Sequence, residues 1–559
     1  MKIIEMLKSL YPIQYEAVFT EIKTLIHKHS IEKDKAELDQ TDMMLITYGD
    51  SIKNDKDHPL QVLHHFLKTY TKDLISNVHL LPMFPFSSDD GFSVIDYEKI
   101  NPELGNWDDI KKLSNDYGLM FDAVINHISK SSEWFQGFLN GDKTYDRYFV
   151  ECDPKLDYSD VVRPRALPLY YPYQSSEGIK YIWATFSDDQ VDLNYENPKV
   201  LINMLEILIK YAKQGARFIR FDAVGFMWKK LGTSSIHLKE THRLVKIMRY
   251  VLDQTVPGTM IVSETNVPHK ENISYFGSGH DEAHMIYQFP LPPLTLFSFV
   301  SGNANKLKMW AKSLNDTKLT NETTYFNFLA SHDGIGMRPV EDILSNDEKQ
   351  MLVDHVTVNG GKISYKNNKD GSTAPYELNI SYQDAVSKLG DTQKVRIDKF
   401  MASQAILLSM IGVPGIYVHS LLGSRNDYDG LEASGINRRI NREKLNLDLL
   451  IKELEDVKST RHQVFKRYLK LLKIRREHQA FSPHATQEVF DIDDRVFSIV
   501  RYDEHTTQKI LVLVNVSDDE LMLSDRFEGV DIITNETIKN EIILKPYQYR
   551  WILLKKEEV

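Results

Sequence analysis

Eight short apolar runs, each followed by an amphipathic segment of helix length, constrain this chain more than any other feature. They are MMLITY (43–48), VHLLPMF (78–84), LMFDAVI (119–125), ARFIRFDAV (216–224), TMIVSE (259–264), HMIYQF (284–289), YFNFLASHD (325–333) and PGIYV (414–418). A strand that is apolar throughout, rather than alternating, belongs to a parallel sheet covered on both faces. Eight of these in register with helices predict an α/β fold, a (β/α)8 TIM barrel. The alternative is an open doubly wound sheet, but no glycine-rich phosphate turn supports it.

The spacing of the runs divides the chain. Residues 1–42 show two weak helical patterns, around Ile4, Leu7 and Leu10 and then Val18, Ile22 and Leu25, and are expected to form a solvated helical segment. Residues 43–475 hold the barrel. Two intervals are too long for simple loops. One, at about 128–186 with the proline-rich string RPRALPLYYPY (163–173), is expected to be an inserted subdomain. The other, at about 341–389 with the polar centre NGGKISYKNNKDGSTAPYE, is either a solvated loop or a lid over the barrel mouth. Beyond residue 480 the pattern turns to period two (RVFSIVRY, KILVLVNVS, GVDIITN, EIILKPYQYRWILL), which predicts a C-terminal antiparallel β domain over 480–559.

Composition removes several function classes. With 68 basic and 79 acidic residues the net charge is −11, which disfavours a nucleic-acid or anionic-membrane surface as partner. The most apolar stretch, Ala405 to Val418, is interrupted by Ser409, Gly412, Pro414 and Gly415 and is shorter than a membrane helix. Glu5 and Lys8 break the start before a signal-peptide core can form. Cys152 is the single cysteine, so no internal disulfide and no thiolate metal site is available. The expectation is a cytoplasmic enzyme acting on small molecules.

In such a barrel the chemistry gathers at the carboxyl ends of the strands. Those ends carry Asn126-His127, Arg220-Phe221-Asp222, Glu264 and His332-Asp333. Adjacent strands lie ~4.8 Å apart, so Asp222 and Glu264 can approach the ~5–5.5 Å separation of a retaining glycosidic pair. Arg220, two residues before Asp222, shares its face and is expected to hold it ionised. Glu264 follows an apolar run, a setting that raises a carboxyl pKa and suits a general acid. Any one of these residues alone would more often be a helix cap or a buried ion-pair partner. Four clusters at successive strand ends are what make a site of them.

These strings carry a resemblance. DAVINH (122–127), GARFIRFDAVGF (215–226), Glu264 and ASHDGIG (330–336) resemble the four motifs of the α-amylase superfamily of glycosidases. RFDAVGF (220–226), GTS (232–234), LPPL (291–294) and HDGIG (332–336) together are closer to its sucrose-phosphorylase branch. LITYGD (45–50), SSDDGFSVIDY (87–97), RPRALPL (163–169), TFSDDQVDLNY (185–195), SETNVPHKENISYFG (263–277) and LGSRNDYDG (422–430) are most similar to the members of that branch that cleave glucosylglycerate. The resemblance spans roughly residues 43–555. It implies a retaining α-glucosyl phosphorylase with inorganic phosphate as co-substrate. Asp222 would be the nucleophile, Glu264 the acid/base and Asp333 the transition-state stabiliser. Asp89, His127, Arg220 and His332 would grip the glucosyl unit, with Arg442 pairing with Asp89. The rivals within the branch act on sucrose, sucrose 6-phosphate or glucosylglycerol; a hydrolase or transglucosidase would share the same glucosyl grip.

Phosphate needs cationic, preferably bidentate, partners. Arg163 and Arg165, in the inserted segment, are the candidates. Glu377 stands where sucrose phosphorylases tend to carry glutamine, and Phe226 where they usually have tyrosine. Both differences favour a short polyol acceptor, which Glu377 could bind. A carboxylate on that acceptor would need compensation, with Lys229 and Lys366 as the candidates. No organic cofactor is expected, and no metal: Asn126 resembles a calcium ligand of amylases, but no dense carboxylate loop accompanies it.

Overall fold

The computed structural model describes residues 2–32, 37–367, 372–503 and 506–555. Among them eight parallel strands close a barrel: β1 (Met44–Thr47), β2 (Asn77–Leu80), β3 (Gly118–Val124), β4 (Ala216–Asp222), β5 (Met260–Ser263), β6 (Met285–Tyr287), β7 (Thr324–Phe328) and β8 (Val413–Tyr417). Each pairs with the next and β8 returns to β1. The apolar runs are apolar because these strands are buried on both faces, inward against the barrel core and outward against helices. The helices show the complementary pattern. The one spanning Pro198–Lys213 starts with Pro198 at its first position and the Asn197 side chain accepting from the Lys199 N–H, and it buries Leu201, Leu205 and Leu208 on one stripe.

The N-terminal helices Ile3–Leu10 and Tyr15–His29 differ from the solvated segment expected. Met6, Leu7, Val18, Ile22 and Leu25 are buried, and the second helix packs on those spanning Pro198–Lys213 and Lys239–Thr255. The Tyr11 hydroxyl donates to the Tyr195 carbonyl at 2.9 Å. Weak periodicity hid this because short charged helices bury only a narrow stripe.

Residues 128–186 contain a helix, Glu133–Leu139, and an antiparallel hairpin, Tyr170–Ser175 with Gly178–Trp183. Residues 341–389 are not a plain solvated loop. They hold a helix, Asn346–Val358, and a hairpin, Lys362–Asn367 with Thr373–Asn379, although residues 368–371 of the polar centre lie outside the described residues. The inner hairpin strand pairs with Ile335–Gly336, so that Gly336 faces Glu377. This pairing ties the hairpin to the segment that follows β7.

The period-two tail forms six antiparallel strands among the described residues: β9 (Thr486–Val489), β10 (Val496–Asp503), β11 (Gln508–Asn515), β12 (Leu521–Asp531), β13 (Glu536–Leu544) and β14 (Tyr549–Leu554), in the order β9-β10-β11-β14-β12-β13. Alternation assigns each face a job. Ile510, Val512 and Val514 of β11 join the core shared with the barrel, while Leu511 and Leu513 build a second cluster within the domain. Buried Arg501 donates to the carbonyls of Ser409 and Ser482, fastening the sheet to the end of a barrel helix.

Candidate active site

At the carboxyl end of the barrel lies a cavity of about 100 Å³ whose walls include Asp89, His127, Asp222, Glu264, His332, Asp333 and Glu377, together with Arg165. Arg220 and Arg442 stand behind this lining. Arg163 lies outside it, in an adjoining cleft of about 740 Å³ that shares Arg165, Arg338 and Tyr376 with the cavity.

The central pair follows from strand register. Ser263 of β5 is paired with Phe221 of β4, and the Glu264 N–H donates to the Phe221 carbonyl at 3.1 Å. Glu264 is thereby held level with Asp222. Ala223 then turns into the left-handed region, with φ of 51°, and its N–H donates to Glu264 Oε2 at 3.2 Å. A non-glycine residue with positive φ directly after a buried carboxylate is strain of the kind that collects at functional sites.

Arg220 is shared. Its Nη1 lies 2.6 Å from Asp122 Oδ1, and its Nη2 lies 3.3 Å from Asp222 Oδ1. Asp122, one strand over, also takes His79 Nε2 at 3.0 Å. The guanidinium therefore spends its shorter contact on Asp122 and does not hold Asp222 at an ordinary carboxylate pKa. Burial raises the Asp222 pKa well above normal and the charge of Glu264 adds to it, with Arg220 opposing. Glu264 is raised too, by burial first and by Asp333. The two carboxyl groups together keep a proton above the usual carboxylate range, the state in which one can attack and the other can donate.

Asp333 goes the other way. Burial opposes ionisation, but Arg438, His332 and Arg442 outweigh it and push the pKa below the normal range. Burial lowers His127 to about 4 and His332 to about 3, so both are neutral imidazoles able to share hydrogen bonds with hydroxyls. His332 is stacked on Phe92, with ring centroids 4.7 Å apart, and His127 Nε2 faces the Phe92 carbonyl at 3.0 Å.

Three expected contacts are arranged differently. Arg442 pairs with Asp90, at 2.5 Å, rather than with Asp89; it also donates from Nε to the His332 carbonyl at 2.8 Å. Asp89 instead takes Arg165 at 3.0 Å. Two successive left-handed residues, Asp89 with φ of 53° and Asp90 with φ of 47°, turn neighbouring carboxylates toward different arginines. Lys229 is not near Glu377: its Nζ lies 2.7 Å from Asn126 Oδ1 and 2.8 Å from Asp192 Oδ2, buried behind the wall. Lys366 pairs with Glu341 at 2.6 Å.

The partner of Glu377 is a residue that sequence reasoning missed. Arg438 forks Glu377, with Nε to Oε2 at 3.0 Å and Nη2 to Oε1 at 2.9 Å, while its Nη1 reaches Asp333 Oδ1 at 2.7 Å. Gly334 permits the approach, since a Cβ there would stand 2.6 Å from Glu377 Cγ. The one available signal was its closeness in sequence to Arg442; Arg438 lies in a 3₁₀ helix, Asn437–Asn441, and Arg442 directly follows it. We expect Arg438→Met to destabilise the protein by about 3 kcal/mol, the low end for uncovering a buried ion pair, and to lose most activity as Glu377 and Asp333 repel. A urea midpoint and a turnover assay check this; an unaltered midpoint would make the fork energetically idle. Also missed were Asp122 and Gln190, the latter lining the cavity and donating from Nε2 to the Phe92 carbonyl at 3.2 Å.

Known proteins similar to this chain place it in a family. Residues 67–374 match the catalytic domain of α-amylase. The chain is 48% identical to the glucosylglycerate phosphorylase of Spirochaeta thermophila, over 86% of this chain and 82% of that one. It is 45% identical to the glucosylglycerate phosphorylase of Allomeiothermus silvanus, over 99% and 98% of the two chains. In fold it is similar to the crystal structure of sucrose 6F-phosphate phosphorylase from Thermoanaerobacter thermosaccharolyticum, with a TM-score of 0.76 and 23% identity, covering 92% of this chain and 99% of that one. The chain belongs to the α-amylase superfamily and, within it, to the family of the glucosylglycerate phosphorylases.

Proposed function

We propose that the protein is a retaining α-glucosyl phosphorylase that converts 2-O-α-D-glucosylglycerate and phosphate reversibly to α-D-glucose 1-phosphate and D-glycerate. The observation that carries this reading is similarity to two glucosylglycerate phosphorylases, over 86% and 99% of this chain. Asp222 attacks the anomeric carbon, while Glu264 protonates the departing glycerate oxygen. Phosphate then displaces Asp222 from the same face that glycerate left. Asp333, ionised and held by Arg438, stabilises the positive charge that develops on the ring. Asp89, His127 and His332 bind glucosyl hydroxyls; Arg220 and Arg442 orient Asp222 and His332 from behind. Glu377, forked by Arg438, takes acceptor hydroxyls. Arg165, in the cavity wall, serves phosphate, and Arg163, in the adjoining cleft, stands on its approach. The reading includes a cytoplasmic location and needs no organic cofactor, metal, nucleic acid or membrane; in the described residues no helix is long and apolar enough to cross one.

An acceptor panel tests it. With α-glucose 1-phosphate as donor, glycerate is expected to exceed glycerol, fructose and water by about tenfold or more in kcat/KM, the worth of one charge-assisted hydrogen bond. Proton NMR of the phosphorolysis product should show the α anomer first, as two inversions require. Equal rates with glycerate and glycerol, or initial β product, would refute the reading.

A further inference from the structure

The proposed acceptor and the co-substrate are both anions, and the cavity that must hold them is lined by Asp222, Glu264, Asp333 and Glu377. A cation free to meet them is required, and the cations in the wall are unequally committed. Arg438 is consumed by Asp333 and Glu377. Arg165 gives one donor to Asp89 and lies over the Phe186 ring, 5.6 Å from its centroid, so it has only part of its fork left for phosphate. Arg338 differs. Among the described residues its guanidinium has one ionic neighbour, Glu271, at 3.7 Å, beyond hydrogen-bond reach. Glu271 is itself partly exposed and lies 3.2 Å from His237 Nε2. Arg338 thus keeps its donors available while lining both the catalytic cavity and the adjoining cleft.

Its placement is firm. Arg338 begins a single helical turn two residues after Gly336, whose strand pairs with the hairpin carrying Glu377. The Met337 N–H donates to the Tyr376 carbonyl at 3.0 Å. Asn266 also lines the cavity; its Oδ1 is buried without a hydrogen-bond partner and lies where a Cβ on Gly336 would stand 2.8 Å away. A guanidinium with its fork uncommitted suits a carboxylate or a phosphate oxygen.

We propose that Arg338 is the specificity residue for the acceptor charge, holding the carboxylate of glycerate in one half-reaction and an oxygen of phosphate in the other. This rests on the phosphorylase reading above. The stereochemistry of that reaction supplies the link. Both acceptors present one oxygen to the same face of the same anomeric carbon. The phosphorus then takes the place of glycerate C2, and two phosphate oxygens take the places of the carboxylate and the hydroxymethyl carbon. A cation that meets one anion therefore meets the other.

The test uses Arg338→Gln and Arg338→Lys in three assays: transfer from α-glucose 1-phosphate to glycerate, the same transfer to glycerol, and phosphorolysis of α-glucosyl fluoride with phosphate varied. In Arg338→Gln the preference for glycerate over glycerol should fall about tenfold or more, and KM for phosphate should rise by a similar factor, one charge-assisted bond in each case. Transfer to glycerol should fall far less. Arg338→Lys should recover part of both losses, because it keeps the charge but not the fork. An unchanged glycerate-to-glycerol ratio overturns the proposal, and so does an unchanged phosphate KM, which would separate the two anions. If Arg338→Gln does not fold, Arg338→Lys decides by the same ratio, a parallel fall with glycerate and glycerol counting against. Failure of the underlying reading is visible separately, as a wild-type enzyme that does not prefer glycerate to glycerol.

Discussion

Asp222→Asn will lower turnover by about four orders of magnitude or more, as removal of a covalent nucleophile does, and will not lower the melting temperature. The amide cannot form a glycosyl ester, so the double displacement stops at its first step. The stability half of this expectation follows from the direction of the pKa shift. Asp222 titrates above its ordinary range because it is buried beside Glu264. The folded protein therefore binds that proton more tightly than the unfolded chain does. The stabilisation from this carboxyl is complete below its unfolded value, and it is lost as pH rises through the folded value. Once ionised, Asp222 opposes folding, and an uncharged isostere removes the opposition. Arg220 keeps its shorter partner, Asp122 at 2.6 Å, so no bare guanidinium is left. Scanning calorimetry and phosphate release from α-glucose 1-phosphate test both halves. A few-fold loss of turnover would take Asp222 out of the nucleophile role, and a lower melting temperature would mean that its contact with Arg220 outweighs burial.

Glu264→Gln is expected to divide substrates by their need for a proton. With glucosylglycerate the leaving group is a poor one, and losing the acid should cost roughly 10²–10⁴-fold. With α-glucosyl fluoride as donor and phosphate as acceptor the loss should be small. Fluoride departs with little protonation, and a phosphate dianion attacks without a base. The pH profile supplies a second readout. The negative charge of Glu264 raises Asp222, so a neutral glutamine lets Asp222 ionise at lower pH, and the acidic limb measured with the fluoride should move down. Equal losses with both donors would show that Glu264 is not the acid. An unmoved acidic limb would show that the two carboxyl groups do not titrate as a pair.

Much of this protein is written in local pattern. Strand direction and face are set by neighbours along the chain, so apolar runs such as MMLITY and ARFIRFDAV announce a sheet buried on both sides, and period two announces the C-terminal domain. Residues at strand ends inherit their position from the strand. Asp222, Glu264, His127, His332 and Asp333 could therefore be placed on one rim before any contact was known. The break in EIILKPYQYRWILL was harder to see. Its two halves, β13 and β14, are sequential but are not paired with each other; both pair with β12.

The tertiary structure decided which charges meet. Arg442 and Asp90 are 352 positions apart, and Arg438 reaches Glu377 across 61. No periodicity links such residues. Choosing Asp90 over Asp89 depends on two consecutive left-handed backbone angles, and choosing Arg438 over Lys229 depends on how the hairpin after β7 docks. The pKa directions were likewise beyond reading from a list of residues. They depend on whether a guanidinium at 2.6 Å from one carboxylate and 3.3 Å from another can hold both ionised once water is excluded. A strand's alternation is a property of adjacent residues, whereas a buried ion network is a property of distances between segments, and only the folded chain sets those.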